Sequence, residues 1–173
     1  MTTADELIGR VELAFADIAY PGDDDLSDSR YGEEPAALRE DFRGRDDWRA
    51  LSPEFLDQAP QGWSSALSFF SPAALHFYLP AYLIADLRGE LIHGSDPAFR
   101  LCWGVTPAAA ARRIARAHGG STIGAPSRRT FDRFSPHQVQ VIVDYLWWKL
   151  DQADYDPIIE QGLEHYWLAR LSD

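Results

Sequence analysis

The sequence predicts an all-α protein, and three observations carry that reading. Four Ser/Thr-Pro pairs, Ser52-Pro53, Ser71-Pro72, Thr106-Pro107 and Ser135-Pro136, each precede an apolar or alanine-rich stretch. In such a pair the hydroxyl accepts a hydrogen bond from a first-turn N–H, and proline fills the first helical position, where a missing N–H costs nothing. Apolar residues also recur at helical spacing near both ends of the chain. Finally, 173 residues, 46% of them apolar and 13% aromatic, suffice for one domain, 1–173, with a substantial core. The expected architecture is six to eight helices in that domain.

The first helix is expected to start at Thr3, with Glu6 completing a capping box and Leu7, Ile8, Val11, Ala14, Phe15 and Ile18 on one face. Tyr20-Pro21-Gly22 ends it, and residues 21–34 read as an exposed acidic loop that lacks the spacing of a calcium-binding loop. Pro35 opens a short helix to Phe42, Asp46 or Asp47 caps a turn carrying Trp48, and Ser52-Pro53 starts a helix that Ala59-Pro60-Gln61-Gly62 terminates. From Leu67 to Leu87 the chain is apolar on all sides, as for a buried helix, and a kink or break is predicted at Leu79-Pro80 because proline removes a hydrogen bond to His76. A turn-rich connection follows, from Asp86 to Asp96. Thr106-Pro107 then launches an alanine-rich helix to His118, ended by Gly119-Gly120, and residues 119–130 read as a flexible connector. Two last helices start at Ser135-Pro136 and Pro157 and are expected to pack together.

Phe42-x-Gly44-x-x-x-Trp48-x-x-Leu51, the run from Leu67 through Ser71-Pro72 and Tyr78-Leu79-Pro80-Ala81-Tyr82-Leu83, and Phe134-Ser135-Pro136-His137-Gln138 together resemble a family of uncharacterised small bacterial proteins, a domain of unknown function. The resemblance spans most of residues 5–150. It implies a shared fold and carries over no catalytic residue. This chain departs from the pattern at Phe70 and His76, where Leu and Arg or another residue are expected.

A net charge of −11 argues against DNA or RNA as a partner, since affinity for nucleic acid rests on neutralising phosphates with Lys and Arg. The charge is uneven: residues 1–60 hold 16 acids against 6 Arg, residues 61–143 hold 4 against 8, and residues 144–173 hold 7 against one Lys and one Arg. Acidic ends pairing with a basic middle explain this, and so does an anion site at Arg128 and Arg129 beside Gly119 and Gly120. Cys102 is alone, the first residues do not resemble a signal peptide, and Pro72 to Ala85 is too short to cross a bilayer. A cytoplasmic protein off the membrane is therefore expected.

Catalytic and metal-binding signatures are missing from the sequence. The five histidines are scattered and one cysteine cannot build a thiolate site, so no metal and no cofactor is expected. His93 and Asp96 share a loop, as an acid–base pair or as solvated side chains. The glycine-rich run at 119–124 lacks the Lys-Ser/Thr of a phosphate loop. Trp147 and Trp148 diverge by about 100° on a helix, so they cannot both face one core.

The leading functional expectation is a non-catalytic, acidic interaction module that binds a basic protein partner through Asp23, Asp24, Asp25 and Trp148. The alternative is a small-molecule-binding protein or enzyme with a cleft at the Pro80 break, lined by His76, Tyr78, Tyr82, Arg43 and Arg45. A homo-oligomer is the third.

Overall fold

The computed structural model describes residues 2–113 and 122–172. It is all-α: ten α-helices and several short 3₁₀ segments, with no strand among the described residues beyond an isolated antiparallel bridge between Arg113 and Thr122. Contacts gather the described residues into two compact units, Ala4–Pro97 and the remainder from Ala98 onward with the extreme N-terminus. The boundary falls just after the turn-rich connection.

In the first unit, α1 (Ala4–Ala14), α2 (Glu33–Phe42), α3 (Pro53–Gln58) and α4 (Ala66–Phe69) precede α5 (Pro72–Leu87). Helix α1 buries Leu7, Ile8 and Val11, with Phe15 just beyond its end, and packs on α5. Twelve of the sixteen α5 residues are buried. Of the kink or break expected at Leu79-Pro80, a break does not occur: α5 is a continuous helix through Pro80. A proline inside a helix costs about 3 kcal/mol, and burying a single large apolar side chain returns about 2 kcal/mol, so packing on every side outweighs the local penalty. The heart of the unit is aromatic. Phe42 meets Phe55, Phe70 and Tyr78 at centroid distances of 5.0, 4.9 and 4.8 Å, and Phe70 stacks on Tyr78 at 5.2 Å.

All four Ser/Thr-Pro signals start helices. Ser52 accepts from the Phe55 N–H at 3.2 Å, Ser71 from Ala74 at 3.0 Å, Thr106 from Ala109 at 3.4 Å and Ser135 from Gln138 at 3.2 Å. Gln138 completes the last as a capping box by accepting from the Ser135 N–H. Ser71 does more than cap: its hydroxyl donates to the Asp25 carbonyl at 2.6 Å and its N–H to the Leu26 carbonyl at 3.0 Å, which ties the acidic loop to α5.

The second unit holds α6 (Pro97–Cys102), most of which lies past the boundary, then α7 (Pro107–Ala110), α8 (Gly124–Phe131), α9 (Pro136–Gln152) and α10 (Pro157–Gly162), which runs on as a π-helical turn, Leu163–Trp167. Helix α9 packs against α10 and the segments after it. The alanine-rich helix stops at Ala110, far short of His118, because Arg112 and Arg113 leave it to meet the returning chain: the Ile123 N–H donates to the Arg112 carbonyl at 3.0 Å. The expected connector likewise turns helical from Gly124, where an added Cβ would lie 2.9 Å from the Ala110 backbone. Glycine permits that close approach. Arg116, His118, Gly119 and Gly120 lie outside the described residues. An aromatic cluster of Phe131, Phe134, Tyr166 and Trp167 fills this core, and the Trp167 indole donates to the Leu101 carbonyl at 3.0 Å.

Two glycines test this packing in opposite directions. A Cβ on Gly162 would sit 2.6 Å from the Cys102 side chain and 2.9 Å from its Cα, whereas nothing lies within 4 Å of one on Gly9. Gly162→Ala should lower stability by about 2 kcal/mol or more through overpacking, and Gly9→Ala, inside α1, should raise it by up to about 1 kcal/mol. Urea midpoints of the two variants check both signs.

Candidate functional site

Two surface features of the Ala4–Pro97 unit bring chemistry-bearing side chains together. The first is a groove of about 290 Å³ lined by Tyr31, Gly32, Glu33, Glu34, Pro35, Trp63 and Phe69. Tyr31 is 89% exposed and Trp63 45% exposed, and Glu33 and Glu34 open α2 beside them. Trp63 is held out by an unusual turn. Gln61 and Ser64, neither a glycine, flank it with φ of 45° and 55°. Such a left-handed conformation costs a non-glycine residue of order 1 kcal/mol or more and persists only where surrounding structure imposes it. Here the Gln61 N–H donates to Asp41 at 2.9 Å, Gly62 to the Gln58 carbonyl at 2.8 Å and Trp63 to the Pro60 carbonyl at 2.9 Å.

The second feature is a pocket of about 270 Å³ lined by Pro53, Glu54, Asp57, Gln58, Glu90, Ile92 and His93. Asp57, on α3, is 1% exposed. Its Oδ2 accepts from the Ile92 and His93 backbone N–H groups, each at 2.7 Å, and lies 2.8 Å from His93 Nδ1. Burial alone would push this carboxyl up; the Ile92 and His93 donors outweigh it and hold the group below the usual carboxylate range. Ser95 completes the loop by donating to the Asp57 carbonyl at 3.2 Å. The histidine's partner is thus a residue 36 positions away, and the expected His93–Asp96 pair is replaced by His93–Asp57.

The remaining residues singled out in the sequence fall as follows. Tyr78 and Tyr82 are fully buried in the aromatic core, Tyr78 donating to the Arg45 carbonyl at 2.8 Å. Burial drives both phenols far above their ordinary range. His76 is half-buried with its ring edge-on to Phe15. Arg45 stacks on Phe55 at 4.0 Å, and Arg43 stays exposed, 4.0 Å from Glu40. In the acidic loop, Asp23 serves the fold: it accepts from the Tyr20 hydroxyl at 2.5 Å and the Gly44 N–H at 2.7 Å. The Tyr20 hydroxyl, pushed up to about 12 by burial and then by Asp23, is in turn a committed donor. Asp24 and Asp25 remain exposed. Trp148 is half-buried, while Trp147 is the more exposed indole at 47%. Arg128 lies over the Tyr166 ring at 5.1 Å and Arg129 is exposed on α8. Asp132 answers to Arg170, at 3.1 Å.

Sequence reasoning missed Tyr31, Trp63 and Asp57. A tryptophan just after Pro60-Gln61-Gly62 was the available signal for the first feature; Asp57 carries none, since its partners come from a distant loop. Among the described residues no three of His, Cys, Asp and Glu gather as a metal ion requires, and no helix is long and apolar enough to cross a membrane.

An all-α protein with an acid-flanked aromatic groove and a buried carboxylate–imidazole pair in one unit is what the geometry defines. The chain belongs to the family of unknown function DUF6714, whose model matches residues 3–171. No curated protein and no solved structure matches it.

The Asp57 pair makes a pH prediction. A carboxyl held below its unfolded value of 3.8 stabilises the fold above that pH, and the contribution fades as pH falls through the folded value. Asp57→Asn should cost about 2–4 kcal/mol at pH 7 through lost charge-assisted hydrogen bonds. The gap between wild type and variant should narrow as pH falls below about 5, as read by urea melts.

Proposed function

We propose that this protein is a non-catalytic interaction module that binds a basic protein segment at the Tyr31–Trp63 groove. The observation that carries the reading is the combination of charge and exposed rings in one place. Ala4–Pro97 contains nineteen acids against seven arginines, whereas the remaining residues hold eight acids against nine bases, so the chain's negative charge belongs to the unit that bears the groove. Arg and Lys side chains are drawn to aromatic faces and to carboxylates together, and a groove with Tyr, Trp and Phe beside two Glu supplies both attractions. The strained turn under Trp63 supports the reading, because strain persists where a side chain must be presented in one position.

Asp24 and Asp25 extend the negative field without touching the groove and serve to speed encounter. Asp23 drops out of the contact set because its oxygen is engaged by Tyr20 and Gly44. A cytoplasmic setting fits a lone buried cysteine.

The test uses an arginine- and lysine-rich peptide as probe and affinity capture from native cell extract at low and high salt. Binding should weaken steeply with salt. Trp63→Ala and Tyr31→Ala should each weaken it about tenfold or more, some 1.4 kcal/mol, while Asp24→Lys with Asp25→Lys should slow association and leave dissociation nearly unchanged. Peptide affinity indifferent to Trp63 and to salt would overturn the proposal.

A further inference from the structure

The pocket at α3 holds chemistry that partner binding at the groove does not use. Asp57 is ionised and nine-tenths or more buried, and its Oδ2 faces three donors. A carboxylate can only accept, so the 2.8 Å contact requires His93 Nδ1 to carry the ring proton. In neutral imidazole that leaves a lone pair on Nε2. The His93 side chain is 52% exposed and lines the pocket, so this nitrogen is held in a chosen tautomer at an open position. A ring needed only to tie down its loop would gain nothing from that exposure. The second observation concerns Asp57 Oδ1, which is buried, belongs to a pocket-lining side chain, and makes no hydrogen bond within the protein.

The rim sets the ligand's charge. Glu54 and Glu90 are exposed carboxylates that line the pocket, one in α3 and one in the turn after α5, and Gln58 adds an amide. Two carboxylates and an imidazole lone pair are all acceptors. They call for a cation with N–H donors, and a metal ion is a poor candidate because these side chains do not come together as its ligands do. We propose that this pocket binds a small organic amine in its ammonium form, with Glu54 and Glu90 supplying the charge and His93 Nε2 accepting an ammonium N–H.

The test is long-range ¹H–¹⁵N NMR on protein labelled in its histidine rings, titrated with putrescine and n-butylamine. In free protein the neutral His93 ring should appear as the Nδ1–H tautomer. Either amine should move the Nε2 resonance saturably at millimolar concentration, and acetate should not. Glu54→Gln with Glu90→Gln, at exposed positions, should weaken the amine at least tenfold. Trp63→Ala should leave the amine response unchanged, which separates this site from the groove. An Nε2–H tautomer, a response that never saturates, an equal response in the Glu54/Glu90 double variant, or saturation by Zn²⁺ in place of the amines would overturn the proposal.

Discussion

A largely buried helix governs the Ala4–Pro97 unit. Because α5 buries twelve of its sixteen residues, the neighbouring elements must offer it apolar surface, and α1, α3 and the 3₁₀ turn Trp48–Ala50 do so. Among its polar atoms the Tyr78 hydroxyl reaches backbone, donating to the Arg45 carbonyl. Pro80 survives in the middle for the same reason: with Phe77 to Ala85 all buried around it, the helix cannot open locally without exposing rings that together outweigh the lost hydrogen bond. The unit's chemistry is thereby displaced outward, onto the short helices and turns that wrap the central one.

Those turns are fixed by carboxylates acting as local anchors. Asp23 gathers Tyr20 and Gly44, Asp41 holds Gln61, Asp47 accepts from the Arg49 N–H, and Asp57 pins the Ile92–His93 backbone. An ionised acceptor bonding a backbone N–H is stronger than a neutral one. Part of the acidic composition is therefore spent on architecture, and Asp24, Asp25, Glu33, Glu34, Glu54 and Glu90 are left to shape the field at the surface. The second unit uses the opposite sign for the same purpose: Arg170 donates to the Phe131 and Phe134 carbonyls, to Asp132 and to the Tyr166 hydroxyl, fastening the chain's last turns to α8 and the start of α9.

Both candidate sites arise where this anchoring leaves something over. At Trp63 the anchored turn holds two residues in left-handed geometry and an indole in the open. At His93 the anchor is itself half of an acid–base pair. In each case the tertiary structure holds a side chain at a surface where local energetics alone would let it move.

Helix starts were legible in the sequence because a cap is a local event: a hydroxyl, a proline and the next two N–H groups lie within four residues, and all four Ser/Thr-Pro signals act as their chemistry dictates. The all-α class and the apolar α5 were legible for a related reason, since periodicity survives in one dimension. What the tertiary structure alone decided involves contacts that sequence does not order. The passage of α5 through Pro80, the early stop of the alanine-rich helix at Ala110 and the helical turn from Gly124 each reverse a local preference by packing or pairing with residues far along the chain. The partner of His93 was invisible for the same reason. Asp96, three residues away, has the proximity, but Asp57 has the burial, and a buried carboxylate must find its donors wherever the fold brings them.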